Sequence, residues 1–102
     1  MTQHSMSILT LSTPSDRPLA PLIRTALSGE LRRLKASLRY TQTRLAAFEA
    51  KYHTSTDDLV ARYSRNDVVE TLETIEWLGE YRMARDIEQQ IETLQAVQFD
   101  RR

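Results

Sequence analysis

Residues 27–52, LSGELRRLKASLRYTQTRLAAFEAKY, decide the fold. Within them Leu27, Leu31, Leu34, Leu38, Thr41, Leu45, Phe48 and Tyr52 follow one another at alternating steps of four and three. A repeat of about 3.5 residues keeps one narrow stripe of a helix turned toward a neighbour, so the stretch reads as one side of a helix pair. Thr41 is the polar member of this seam, and a residue of that kind sets register more often than it performs chemistry. Gly29 disfavours helix by about 1 kcal/mol relative to alanine. The steps cross it without a change of phase, and the helix is expected to run through it.

On the amino-terminal side, the helix is expected to begin between Ser15 and Pro21: Ser15 or Asp16 can cap the first turn, Pro18 has the fixed φ that suits an opening position, and Pro21 is compatible with regular hydrogen bonding that starts after it. Earlier still, Ser7-Ile8-Leu9-Thr10-Leu11 has β character and is closed by the turn residues Thr13-Pro14-Ser15-Asp16-Arg17-Pro18. Residues 1–17 therefore read as a loose arm and 18–102 as a helical hairpin domain.

On the carboxyl-terminal side, His53 stands where a glycine would usually close the helix. Ser55 with Asp58 three residues on is a capping pattern, and it opens a short helix over residues 56–64 with Leu59, Val60 and Tyr63 on its apolar side. Asn66 or Asp67 is expected to cap a third helix over residues 68–97. Its expected seam is Val68, Leu72, Ile75, Gly79, Met83, Ile87, Ile91 and Leu94, with a stutter at Met83 and Ile87. A glycine at position 79, inside a helix, predicts a closely packed neighbour. The aromatic side chains of Phe48, Tyr52, Tyr63 and Trp77, all near the bend, are its expected occupants.

Composition narrows the function classes. One hundred and two residues make one domain, and the absence of cysteine removes disulfides, thiolate nucleophiles and Cys-based zinc sites. No run approaches the roughly 20 apolar residues of a membrane span, and Met1 to Leu11 lacks the pattern of a signal peptide, so a cytoplasmic, non-membrane location is expected. The two histidines, His4 and His53, have no partner at metal-binding spacing, and the two glycines cannot build a phosphate loop. No catalytic triad, metal centre or cofactor site is indicated, and the chain is read as no enzyme. Net charge is zero but divided. Residues 1–54 hold eight basic groups against three acidic ones, and residues 55–102 hold six against eleven. A basic helix followed by an acidic one suits an antiparallel pair.

The run Phe48-Glu49-Ala50-Lys51-Tyr52, then Ser55-Thr56-Asp57-Asp58-Leu59, then Glu76-Trp77-Leu78-Gly79-Glu80-Tyr81 resembles a group of small helical prokaryotic proteins with an F-E-x-K-Y and E-W-x-G-E-Y pattern. These are similar to antitoxin components encoded beside a small toxin gene. The resemblance implies a toxin-binding helical protein in which the Trp77–Tyr81 segment matters.

The expected fold is all-α: a long antiparallel helical hairpin with a short connecting helix, dimerising into a coiled-coil-like bundle. Beyond the bend, Leu19, Leu22, Ile23 and Leu27 are left to be covered by a second copy. Ile8, Leu9, Leu11, Glu73, Glu76, Trp77, Glu80 and Tyr81 form the candidate partner surface, since a β-prone arm can add to a sheet edge and an acidic face suits a basic partner. Two other readings stay open, a nucleic-acid-binding regulator using Arg24, Arg32, Arg33 and Arg39, and a bare helical scaffold.

Overall fold

The computed structural model describes residues 6–99, and among them every regular element is helical: α1 (Ala20–Tyr52), α2 (Thr56–Ser64) and α3 (Leu72–Gln95). The first five residues of the expected arm, His4 included, and residues 100–102 of the expected hairpin domain lie outside the described residues.

Helix α1 spans 33 residues, roughly 50 Å at 1.5 Å per residue. It starts within the expected range, with Leu19 at the cap in place of Ser15 or Asp16 and no side-chain acceptor for its first amides. Pro21 falls in the first turn, where its missing N–H costs nothing. The helix runs through Gly29 without a break. It ends at His53, whose left-handed backbone (φ 51°, ψ 41°) turns the chain while the Thr54 amide donates back to the Glu49 carbonyl at 3.3 Å. An L-residue in this region gives up roughly 1–2 kcal/mol that glycine does not. His53→Gly is therefore expected to raise stability by about 0.5–1 kcal/mol after the greater unfolded-state freedom of glycine is offset. Urea denaturation measures it, and a lowered midpoint would show that the imidazole contributes more than the strain removes.

Ser55 caps α2 by accepting from the Asp58 amide at 3.1 Å. The far end of α2 corrects the sequence reading. Asn66 is left-handed (φ 57°), its amide donates to the Tyr63 carbonyl at 3.0 Å, and the Asp67 amide donates to the Arg62 carbonyl at 2.9 Å. Those two bonds are a Schellman motif, so Asn66 and Asp67 close α2 and do not open α3. Helix α3 begins four residues later than expected, at Leu72. There Thr71 and Thr74 cap each other reciprocally, with the Thr74 amide donating to Thr71 Oγ1 at 3.1 Å and the Thr71 amide to Thr74 Oγ1 at 2.7 Å.

Helices α1 and α3 pack antiparallel. Arg44 meets Glu80 and Lys51 meets Glu73, so a seven-residue advance on one helix matches a seven-residue retreat on the other. Two apolar clusters fill the contact. Leu34 with Ile87 and Ile91 is flanked by Leu31, Leu38 and Leu94. Nearer the bend, Leu59, Trp77 and Leu78 are flanked by Leu45, Phe48, Val60 and Val68. Between them Thr41 is buried, with its hydroxyl 3.9 Å from Met83 Sδ. The result is long and thin, 60 × 35 × 17 Å, with a radius of gyration of 19.3 Å where a compact chain of this length has about 13 Å.

The first half of the α3 seam is in a different phase from the expected one. Leu72 and Ile75 are 73% and 55% exposed and Gly79 is exposed, whereas Trp77, Ala84, Ile87 and Ile91 are buried. Counted from Trp77 through Glu80, Ala84, Ile87, Ile91 and Leu94, the steps are three and four throughout. There is no stutter. The apparent one was the passage from a stripe on the wrong side of the helix onto the true one at Ile87, since two residues amount to about 200° of helix. Gly79 is also not an approach point: a methyl group added there meets nothing within 4 Å. Gly79→Ala is expected to stabilise α3 by about 0.5–1 kcal/mol. A loss of thermal stability would reveal a backbone that approaches this position in solution.

Candidate protein-interaction surface

The hairpin bend is organised around Trp77. Its ring stacks on Phe48 (centroids 5.5 Å apart, planes 7° apart) and on Tyr52 (5.7 Å, 22°), which are one turn apart on α1. Its indole Nε1 donates to Thr56 Oγ1 at 2.9 Å, and the Thr56 amide donates to Glu49 Oε2 at 2.7 Å. One residue at the start of α2 thus ties α1 to α3, and the buried polar atoms are all satisfied among the described residues. At the rim, Lys51 Nζ donates to Glu73 Oε1 at 2.5 Å, the Tyr52 hydroxyl donates to the same carboxylate, and Arg44 Nε donates to Glu80 Oε1 at 2.5 Å. Arg44 also lies against the Tyr40 ring, 5.9 Å from its centroid. Its pKa is raised by Tyr40 first and Glu80 second, so the guanidinium stays charged throughout the working range.

This geometry divides the expected partner surface. Trp77 is only 2% exposed and is withdrawn from it, because the ring is the centre of the core at the bend. Glu73 and Glu80 are half-buried and spent on Lys51 and Arg44, and Tyr81 is half-buried. Glu76 is exposed and has no ion-pair partner among the described residues. Ile8, Leu9 and Leu11 are exposed in an arm without regular structure, which is folded locally by Ser15 and Arg17 amides donating to Thr13 and Ser15 hydroxyls.

The sequence placed Met83 in the α3 seam and singled out no role for Tyr40, and neither was expected on an exposed face. They are 66% and 53% exposed, and both sit on the edge marked by Arg44 and Glu80. Leu22 is exposed at the open end of the hairpin, whereas Leu19, Ile23 and Leu27 are half-buried. Each lies about 120° from its helix's buried line, Tyr40 six residues from Leu34 and Met83 six from Trp77, a signal available once the α3 phase is known.

The arginines expected to meet nucleic acid are also divided. Arg33 pairs with Glu30, whose carboxyl it holds below the usual range through their hydrogen bond, and Arg24 lies 4.3 Å over the Phe99 ring. Arg32 and Arg39 are exposed without a carboxylate partner among the described residues. An open recess of about 220 Å³ lies between α2, the turn after it and α3, lined by Tyr52, Arg62, Asp67, Val69, Thr74 and Trp77. It is smaller than ordinary small-molecule sites. Among the described residues no group of carboxylates and histidines is arranged to hold a metal ion, and no helix is long and apolar enough to cross a membrane. No family model matches the chain, and neither a curated protein nor a solved structure matches it significantly.

Proposed function

We propose that the protein is a non-enzymatic, cytoplasmic binding module of a prokaryotic cell that associates with itself and neutralises a small toxin protein by packing against it. The observation that carries the binding role is the amount of apolar side chain left outside a core this thin. Met6, Ile8 and Leu9 of the arm, Leu22 and Tyr40 of α1, and Leu72, Ile75 and Met83 of α3 are all exposed. Apolar side chains exposed singly are ordinary, but a contiguous patch marks a surface made for another protein, and Tyr40 and Met83, brought to one height on one face, are where these residues approach that condition. The toxin as partner comes from the resemblance carried by Phe48–Tyr52 and Glu76–Tyr81.

Co-expression with the product of the adjacent gene tests the reading. Rescue of growth together with co-purification is expected. A harmless neighbour, or a toxic one that is neither bound nor neutralised, removes the antitoxin role and leaves the helical binding module. A second reading, binding to nucleic acid, is favoured by the two arginines of α1 that lack carboxylate partners. It requires affinity for duplex DNA that falls steeply with salt and is lost in Arg32→Ala/Arg39→Ala.

A further inference from the structure

The hairpin has two broad faces, and they are not alike. Helix α2 covers one of them through Leu59, which packs with Leu78, itself one residue round the helix from Trp77. The other face is uncovered. It shows Tyr40 and Arg44 on the α1 side and Glu76, Glu80 and Met83 on the α3 side, with Tyr40 and Met83 at the same height along the molecule, as the Thr41–Met83 contact shows.

Charge is sorted by helix, and the uncovered face shows Arg44 and Lys51 on its α1 side and Glu73, Glu76 and Glu80 on its α3 side. Helix α1 carries seven basic groups against two acidic, and α3 carries six acidic against two basic. Between residues 31 and 48 of α1 there is no carboxylate, and over the first ten residues of α3 there is no basic side chain. Two hairpins laid face to face can be related in two ways. A two-fold axis across the long direction sets α1 beside α1 and α3 beside α3, like charge against like. A two-fold axis along the long direction sets each α1 beside the α3 of the other copy, unlike against unlike, and every neighbouring pair in the bundle is then antiparallel.

We infer that the uncovered face binds a second copy of this chain about a two-fold axis parallel to the helices, with Tyr40 of each copy packed on Met83 of the other. The inference rests on the self-association proposed above and adds its face and axis. Because hairpins related in this way point in the same direction, residues of equal height meet. Tyr40 and Met83 then form two identical thioether–aromatic contacts. Glu76 is brought beside the basic flank of the second copy's α1, around Arg44 and Lys51. Unlike charge at the flanks fixes which helices become neighbours, and the exposed apolar pair is removed from water.

The absence of cysteine makes the test direct. Single variants Tyr40→Cys and Met83→Cys, each at an exposed position, are prepared with different tags and treated with a short bismaleimide alone and mixed. Neighbouring helices lie about 8–10 Å apart and diagonal ones farther. Cross-linking is expected in the mixture and not in either variant alone. Tyr40→Glu is expected to weaken the dimer tenfold or more with helicity retained, since the side chain it replaces is outside the hairpin core. Light scattering read alongside separates the two failures. A monomer at micromolar concentration overturns self-association. A dimer in which Tyr40→Cys cross-links to itself, or in which the mixture stays uncross-linked, overturns the face and axis while leaving self-association intact.

Discussion

Trp77→Ala is expected to leave the chain largely unfolded at room temperature. The indole is the most deeply placed large side chain, stacked on Phe48 and Tyr52 and packed with Leu59 and Leu78. Truncation of a buried Trp costs about 3–5 kcal/mol in lost transfer energy and residual cavity. It also takes the donor from Thr56 Oγ1, so the start of α2 loses its link to α3. Small domains have about 5–15 kcal/mol in total, and one with two small apolar clusters belongs at the bottom of that range. Far-UV circular dichroism against urea gives the measurement. Trp77→Phe supplies the comparison, because it keeps an aromatic surface and removes the indole donor, and it is expected to stay folded with a loss of about 1–3 kcal/mol. A loss below about 1 kcal/mol for Trp77→Ala would mean that the bend is not the stabilising centre of the hairpin.

Leu34→Asp is the second change with a large expected effect, and it adds a dependence on pH. Leu34 is buried against Ile87 and Ile91 and enclosed by Leu31, Leu38 and Leu94, with no basic group in that cluster. The lost apolar contact alone is worth about 2–5 kcal/mol, and a carboxylate held there has no partner. Desolvation raises the folded-state pKa of the introduced carboxyl above its unfolded value of about 3.9. A folded state that binds its proton more tightly is penalised progressively as pH rises through and above that value. The gap between variant and wild type is therefore expected to be smallest near pH 4 and to widen toward pH 7. A variant that melts cooperatively at the wild-type temperature at pH 7 would remove Leu34 from the seam.

The α1 side of this arrangement was legible because its buried line is drawn almost wholly in leucine. Leu31, Leu34, Leu38 and Leu45 stand at core steps, and the only polar member, Thr41, is buried there all the same. The bounds of α2 were legible from Ser55, whose side chain has one geometric use. The α3 side was not, for a physical reason. Its true line includes Glu80, whose charge is met by Arg44, and Ala84, whose small side chain lets the helices approach. Neither announces itself as a core position, whereas exposed Leu72 and Ile75 do. Leu78 is buried one residue round from Trp77, in a cluster that includes Leu59 of α2 as well as Leu45 and Phe48 of α1, so two partners acting on one helix blur any single period. The same ambiguity moved Trp77 onto the partner surface, although an aromatic with Glu73 and Glu80 one turn away on either side is as well suited to a core rimmed by ion pairs. The face that remains open, with Tyr40 and Met83, follows only from the difference between the two phases.

The Thr56 junction also governs alignment. The ion pairs repeat every seven residues on both helices, so sliding α3 by one heptad, about 10 Å, would bring Arg44 opposite Glu73, at the cost of setting Leu34 near Met83 and carrying Trp77 away from Phe48 and Tyr52. The charges alone discriminate weakly between these two alignments, whereas the stack of Trp77 on Phe48 and Tyr52 fits only one of them. What further opposes the slide is that α2 is wound up and pinned at Thr56, with its amide on Glu49 and its hydroxyl on Trp77. Nine residues unwound could reach up to about 30 Å, ample slack for such a displacement. A short helix with few contacts of its own thus acts, together with the aromatic stack, as the latch that keeps two rods in a single alignment.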